Sequence, residues 1–164
     1  YLQDTGQEYT VMKNYQYGWT RDMRDMNRKR YKNPDPVMDS LVLFNPDGNS
    51  MWCNKMKAFS SCEQADWQIK VTNGKYFVTV VLGDAKYKAK YDLQINGETF
   101  VSRVLEIGEF VYPQFKLLVA NEFIKLSSRC SHQCSFSWTR INSIRIQKLD
   151  CFNCNKFRQS SSTL

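Results

Sequence analysis

The chain is 164 residues long, about one domain, with 14% aromatic residues and only four prolines, which excludes a disordered polypeptide. No stretch approaches the roughly 18 uninterrupted apolar residues of a membrane helix, so no membrane insertion is expected. The net charge of +7 and pI near 9.1 suit phosphate, anionic polysaccharide or an acidic membrane surface, but the basic residues are scattered in the manner of an ordinary basic surface.

In chain order, the opening YLQDTGQEYT has neither an initiator methionine nor an apolar targeting segment, as a mature or excised piece would. EYTVMKN alternates weakly between polar and apolar. WTRDMRDMNRKRYK is polar on nearly every face and reads as loop or a single turn. Its part from 21 to 32 is the one dense basic stretch, diluted by Asp22 and Asp25. DSLVLFN is a short apolar strand before the turn NPDGN. WQIKVTNGKYFVTVVLGD reads as a hairpin, Trp67 to Val71 and Lys75 to Leu82, because Asn73-Gly74 supplies the two positive-φ residues of a type I′ turn. KYDLQINGETFV is a second hairpin around Asn96-Gly97. RVLEIGEF follows, then FKLLVANEFIKLSS, whose ANE segment can turn to leave Phe123 to Ser127 as a separate strand, then INSIRIQKLD. Short strands, frequent turns and no long period of 3.6 predict an all-β fold. We expect an antiparallel, jelly-roll-like β-sandwich of about eight or nine strands, braced by disulfides. The sandwich should occupy residues 1–150, and 151–164 form a Cys-containing polar extension that ends in NKFRQSSSTL.

The six cysteines fall into three local groups: Cys53 with Cys62, Cys130 with Cys134, and Cys151 with Cys154. An even number at local spacing suits an oxidising compartment, hence an extracellular, cell-surface or secretory-lumen location. The chain carries no Asn-x-Ser/Thr sequon. CSHQC followed by CFNC also approximates a zinc spacing, with His132 as a spare ligand. A strand from Ile141 to Leu149 would hold its ends roughly 25–30 Å apart at ~3.3 Å per residue, so one tetrahedral site would need the chain to double back. Disulfides are therefore favoured over zinc, with Cys53–Cys62 the best defined pair and the other four open.

No enzyme is expected. His132 is the sole histidine, no Ser-His-Asp order stands out, and the carboxylates are scattered without a glycosidase-type pair. KYKAKY (86–91) and RKRYK (28–32) interleave aromatic and basic residues in a way that can pair phosphate contacts with base stacking. Both read better as solvated strand edges and loops, where lysines block edge-to-edge pairing, so nucleic acid is not the expected partner.

The order of motifs carries more than any one of them. DTGQEYTVMKNYQYGWTRD, DPVMDSLVLF, WQIKVTNGKYFVTVVLGDAKY, YDLQINGETFV and INSIRIQKL, over residues 4 to 149, resemble the malectin-like members of the galactose-binding-like β-sandwich group. The resemblance implies a non-catalytic carbohydrate-binding or adhesion module of a secreted or surface protein, with a glycan or glycoprotein as partner. It equally accommodates a structural module without sugar affinity, held by other protein subunits in a larger assembly. It implies no cofactor beyond a structural calcium, for which Asp4, Glu8 and Asp150 are candidate ligands, solvated carboxylates being the alternative. This sequence departs from the pattern in the insert NPDGNSMWCNKMKAFSSCEQAD, the long loop SRCSHQCSFSWTR and the extension CFNCNKF, additions able to cover or replace a sugar site.

A sugar presents an apolar C–H face and a polar rim, so its site needs an aromatic platform beside fixed hydrogen-bonding groups. NYQYGW offers Tyr15, Tyr17 and Trp19, at a place the resemblance assigns to a loop. GDAKYKAKYD offers Asp84, Tyr87 and Tyr91. The expectation is that these two loops meet at one edge, with Asp84 accepting sugar hydroxyls while Tyr17 or Tyr87 stacks on the ring. The plain structural alternative puts the tryptophans in the core and makes Asp84 a cap of its own turn.

Overall fold

The computed structural model describes residues 6–12, 15–44, 65–128 and 139–149. All six cysteines, His132, Asp4, Asp150 and the extension from 151 onward lie outside these residues, and with them the disulfide and zinc assignments.

Twelve strands are present among the described residues: β1 (Thr10–Met12), β2 (Tyr15–Trp19), β3 (Asn27–Lys29), β4 (Ser40–Leu43), β5 (Trp67–Lys70), β6 (Gly74–Gly83), β7 (Ala89–Ile95), β8 (Glu98–Leu105), β9 (Phe110–Val111), β10 (Gln114–Val119), β11 (Phe123–Ser127) and β12 (Arg140–Lys148). Besides a 3-10 turn at Arg24–Met26, the one helix among them is the four-residue α1 (Pro36–Asp39), started by Pro36 and by Asp35, whose carboxylate accepts from Val37 N at 2.8 Å. The count exceeds the eight or nine expected because β1, β3 and β9 are only two or three residues long. No helix of the described residues is long and apolar enough to cross a membrane.

The strands form two sheets, and every ladder between them is antiparallel. The first runs β1-β2-β5-β11-β7-β8, the second β10-β6-β12-β4-β3 with β9 beside β6. Between them lies one shared core. β7 alternates strictly, burying Ala89, Tyr91, Leu93 and Ile95, and β6 buries Tyr76, Val78, Val80 and Leu82 from the opposite side. Trp19 meets Phe44 edge-on at 4.5 Å between ring centroids. Phe100 of β8 packs on Phe115 of β10 at 4.2 Å, joining an edge strand of one sheet to an edge strand of the other.

Two expectations need correcting. The segment from 19 to 32, expected as loop or a single turn, holds that turn at Arg24–Met26 but also a strand: Asn27–Lys29 forms an edge strand against β4, where one neighbour suffices, while Met23 and Met26 are buried. More consequentially, β5 and β6 are not a hairpin. β5 belongs to the first sheet and β6 to the second, so Asn73-Gly74 turns a corner between sheets. Asn73 lacks the positive φ of a type I′ turn. Its amide oxygen instead accepts from Glu122 N at 2.9 Å, and Val71 N donates to Glu122 O at 2.8 Å. The partner corner joins β10 of the second sheet to β11 of the first. Register is unbroken across both corners, from Leu126↔Trp67 and Phe123↔Lys70 to Val119↔Gly74 and Gln114↔Thr79. The two segments are therefore one long antiparallel ribbon folded over the core. By contrast Asn96-Gly97, with φ of 47° and 89°, makes the expected hairpin between β7 and β8.

Candidate functional site

β6 sends alternate side chains inward, and this phase carries past its end: after Tyr76, Val78, Val80 and Leu82, Asp84 also points into the interior and is fully buried. Gly83 precedes it because a Cβ there would stand 2.4 Å from the Phe110 ring and 2.6 Å from Glu109 O, so β9 can approach only a glycine. Arg30, just beyond β3, lays a two-pronged guanidinium on the Asp84 carboxylate, Nε to Oδ1 at 2.9 Å and Nη2 to Oδ2 at 2.6 Å. Lys86 N and Tyr87 N donate to Oδ1 at 2.8 and 3.3 Å. Arg140, the first residue of β12, brings its Nε to 2.8 Å from Oδ2. That contact has the distance of an ion pair but not the alignment of a hydrogen bond, and Arg140 Nε and Nη1 are buried without hydrogen-bond partners among the described residues.

Asp84 thus caps its own turn and anchors two arginines, which leaves it engaged on both oxygens and closed to solvent. One carboxylate against two guanidinium groups leaves this cluster with one net positive charge. Tyr91, also fully buried, stands beside this cluster. Burial pushes its phenol up to about 12; the Asp84 charge adds to the rise, and Arg140 and Arg30 oppose it.

The sequence-derived site residues therefore separate. Tyr17, Trp19 and Tyr91 are core residues at 4%, 2% and 0% exposure and present no face to a ligand. Tyr15 is exposed, but on β2 of the other sheet from β6. Tyr87, at 46% exposure, is the one member of the predicted set that is both exposed and on the Asp84 loop. Glu8, in an isolated bridge to Trp19, is exposed. No group of three or more His, Cys, Asp or Glu side chains with metal-binding spacing occurs among the described residues.

What the structure does bring together is the pair of basic–aromatic segments, RKRYK and KYKAKY. The Arg30–Asp84 pair bridges 54 residues of chain and seats the Arg30 guanidinium 5.0 Å from the centroid of the Tyr87 ring, with Lys86 Nζ at 5.3 Å. Next along the chain, Tyr31 is 79% exposed and holds a positive φ of 55°, an uncommon conformation for a bulky residue. The buried Asp39 imposes it, its carboxylate accepting from Tyr31 N, Lys32 N and Asn33 N at 2.9, 2.7 and 3.0 Å. Those backbone donors hold the Asp39 carboxyl below the usual carboxylate range. Lys29 Nζ lies 5.1 Å from the Tyr31 ring, and exposed Tyr112 brings its hydroxyl to 3.8 Å from Met38 Sδ. The 29–39 loop thus carries exposed Tyr31, reaches the Tyr87 ring through Arg30 and meets exposed Tyr112 through Met38.

The sequence pattern marks Tyr31 only within RKRYK, read there as a solvated edge, and gives no sign of Tyr112, of Asp39 beneath Tyr31 or of Arg30 and Arg140 around Asp84. The interleaving of Tyr with Lys and Arg was the available signal for Tyr31.

No protein-family model matches the chain, and no curated protein matches it in sequence. Solved structures do. The YxiM protein of Bacillus subtilis aligns over 88% of this chain and 34% of its own at 16% identity and a TM-score of 0.56. A β-glucuronidase of Bacteroides uniformis aligns over 86% of this chain and 15% of its own, at 12% identity and a TM-score of 0.51. A third, the C-terminal domain of the sugar-binding protein EclA, aligns over half of this chain at 23% identity, but its TM-score of 0.37 carries no argument. At these identities the first two likenesses are of fold: this chain has the architecture of a part of two much longer proteins.

Proposed function

We propose that the domain is a non-catalytic carbohydrate-binding or adhesion module of a larger secreted or surface protein, with a glycan or glycoprotein as partner. The observation that carries this is the exposed pair Tyr31 and Tyr87, each fixed from beneath by a buried carboxylate: Asp39 under Tyr31, Asp84 and Arg30 under Tyr87. A backbone already held in place costs little further ordering when a sugar stacks on the ring it carries, and the nearby lysine ammonium groups can donate to sugar hydroxyls. The fold shared with a segment of a protein named a β-glucuronidase supports the reading. So does the commitment of the carboxylates: Asp84 and Asp39 serve structure, and exposed Glu106 and Glu109 are paired with Lys88 and Arg103. The malectin-like assignment is the finer form of the proposal and rests on the order of sequence motifs.

A second reading, an interaction module without sugar affinity, has its own support. Val104 and Ile107 at the end of β8 and Leu118 on β10 are exposed at 48%, 63% and 69%, on or beside the two edge strands that Phe100 and Phe115 join.

The test is a glycan-array screen of the parent domain beside Tyr87→Ala. Expected is binding by the parent and its loss in a variant that stays folded with a slightly lowered melting temperature, since Tyr87 is half-exposed but its ring packs on Arg30. Binding that survives Tyr87→Ala moves the site elsewhere, and silence across the array would favour the interaction module. Asp84→Ala is an unsuitable probe, because it would leave two buried arginines without their counter-ion.

A further inference from the structure

We infer that the ligand of the Tyr31–Tyr87 face is an acidic oligosaccharide, one bearing carboxylate or sulfate groups, rather than a neutral one. This rests on the carbohydrate reading above and adds its charge.

The inference comes from where the charges lie. The two acids nearest the platform, Asp84 and Asp39, are turned inward and saturated by arginine or backbone N–H donors, so they offer the surface neither acceptor nor exposed negative charge. Outward, the same segments present Lys29, Lys32 and Lys86, all exposed and in no ion pair among the described residues. Lys29 and Lys86 hold their ammonium groups over the Tyr31 and Tyr87 rings, 5.1 and 5.3 Å from the centroids, where an acidic group brought to either ring would meet them. Beneath them the cluster of Arg30, Arg140 and Asp84 carries one net positive charge, which the buried Asp39 carboxylate under Tyr31 opposes, so the outward positive charge is that of the lysines. A net charge of +7 adds long-range attraction for an anion. A neutral sugar would use the rings and take only ordinary hydrogen bonds from the ammonium groups. A uronate or sulfate on the same ring would pair with them.

The test uses calorimetric titration of the whole chain at 50 and 300 mM salt with four probes: tetragalacturonate, a heparin-derived sulfated tetrasaccharide, neutral cellotetraose and a ten-residue oligothymidylate. Each is repeated with Lys29→Gln/Lys86→Gln and with Tyr87→Ala. The expected result is that at least one acidic tetrasaccharide binds with salt-sensitive affinity, about tenfold or more above cellotetraose. Which acid binds separates carboxylate from sulfate. The lysine double variant should lose about five- to tenfold toward the acid alone, at unchanged melting temperature, and Tyr87→Ala should lose both acidic and neutral sugars. Equal binding of cellotetraose, or an acid affinity indifferent to the lysine substitutions, overturns the charge preference and leaves the carbohydrate reading standing. No sugar bound by the parent, or oligothymidylate bound more tightly than every sugar, overturns both.

Discussion

Asp84 shows how a single residue can look like a ligand group and act as a keystone. Its turn-capping role is legible in the sequence, because a Gly-Asp at a strand end is an ordinary place for a side chain to bind the next backbone N–H groups. Its arginines are not legible, since Arg30 lies 54 residues away and no local pattern encodes that pairing. Removing one partner of a buried ion pair strands the other, so Asp84→Asn should destabilise the fold by about 3–5 kcal/mol in urea or guanidinium denaturation. Tyr91 sits in the same cluster with its hydroxyl against the Arg140 guanidinium, so Tyr91→Phe should cost no more than one ordinary hydrogen bond at neutral pH, about 1 kcal/mol. The two variants diverge further in alkali. Burial raises the Tyr91 phenol from 10.0 to about 12, so the folded state holds that proton more tightly than the unfolded state does. The stability this contributes is whole below pH 10 and is lost as pH rises through 12. Tyr91→Phe should therefore show a shallower fall in stability than the parent between pH 10 and 12, and an equally steep fall would refute the assignment of that proton to Tyr91.

At the scale of elements, the same dipeptide takes two fates. Asn96-Gly97 and Asn73-Gly74 are indistinguishable by local chemistry, and β-branched and aromatic residues flank both. Strand positions are accordingly readable: Phe123–Ser127 falls where the ANE turn places it, and β7 and β8 meet where Asn96-Gly97 places them. Sheet membership is not readable, because it depends on which distant strand completes the ladder. β5 finds β2 and β11, β6 finds β10 and β12, and the corner between them is held by Glu122 of the partner corner. Substitutions should separate the two turns. Gly97→Ala forces a side chain into a φ of 89° with open space around it, so its cost should be purely conformational, about 1–2 kcal/mol. Asn73→Ala removes a hydrogen bond to another segment and should cost about 1 kcal/mol, whereas Asn73→Gly, which in a type I′ turn would be nearly neutral, should cost at least as much as Asn73→Ala. Chemical denaturation of the three variants decides it, and a neutral Asn73→Gly would restore the hairpin.

At the scale of the whole molecule, composition and strand rhythm suffice to announce two β-layers around an aromatic core, and the charge suffices to announce a basic surface. The path of the chain between the layers is not announced, and it governs how the fold comes apart. The ribbon of β5–β6 against β10–β11 keeps one register through both sheets, so the two layers share backbone hydrogen bonding around the corner as well as side-chain packing. Peeling the first sheet from the second requires breaking the corner bonds of Asn73 and Val71 with Glu122, and it exposes Trp67 and Ile124 on one side and Val78 and Phe115 on the other. Neither layer has a separate core to fall back on. Native-state hydrogen exchange should therefore show the amides of β5 and β11 and those of β6 and β10 opening together, with one free energy and one denaturant slope, near the global value. Amides of the edge strands β1 and β3, each paired on one side by three residues, should exchange earlier. If β5 and β11 instead opened at lower denaturant than β6 and β10, the ribbon would not couple the layers, and the sandwich would be two sheets joined only by their packed faces.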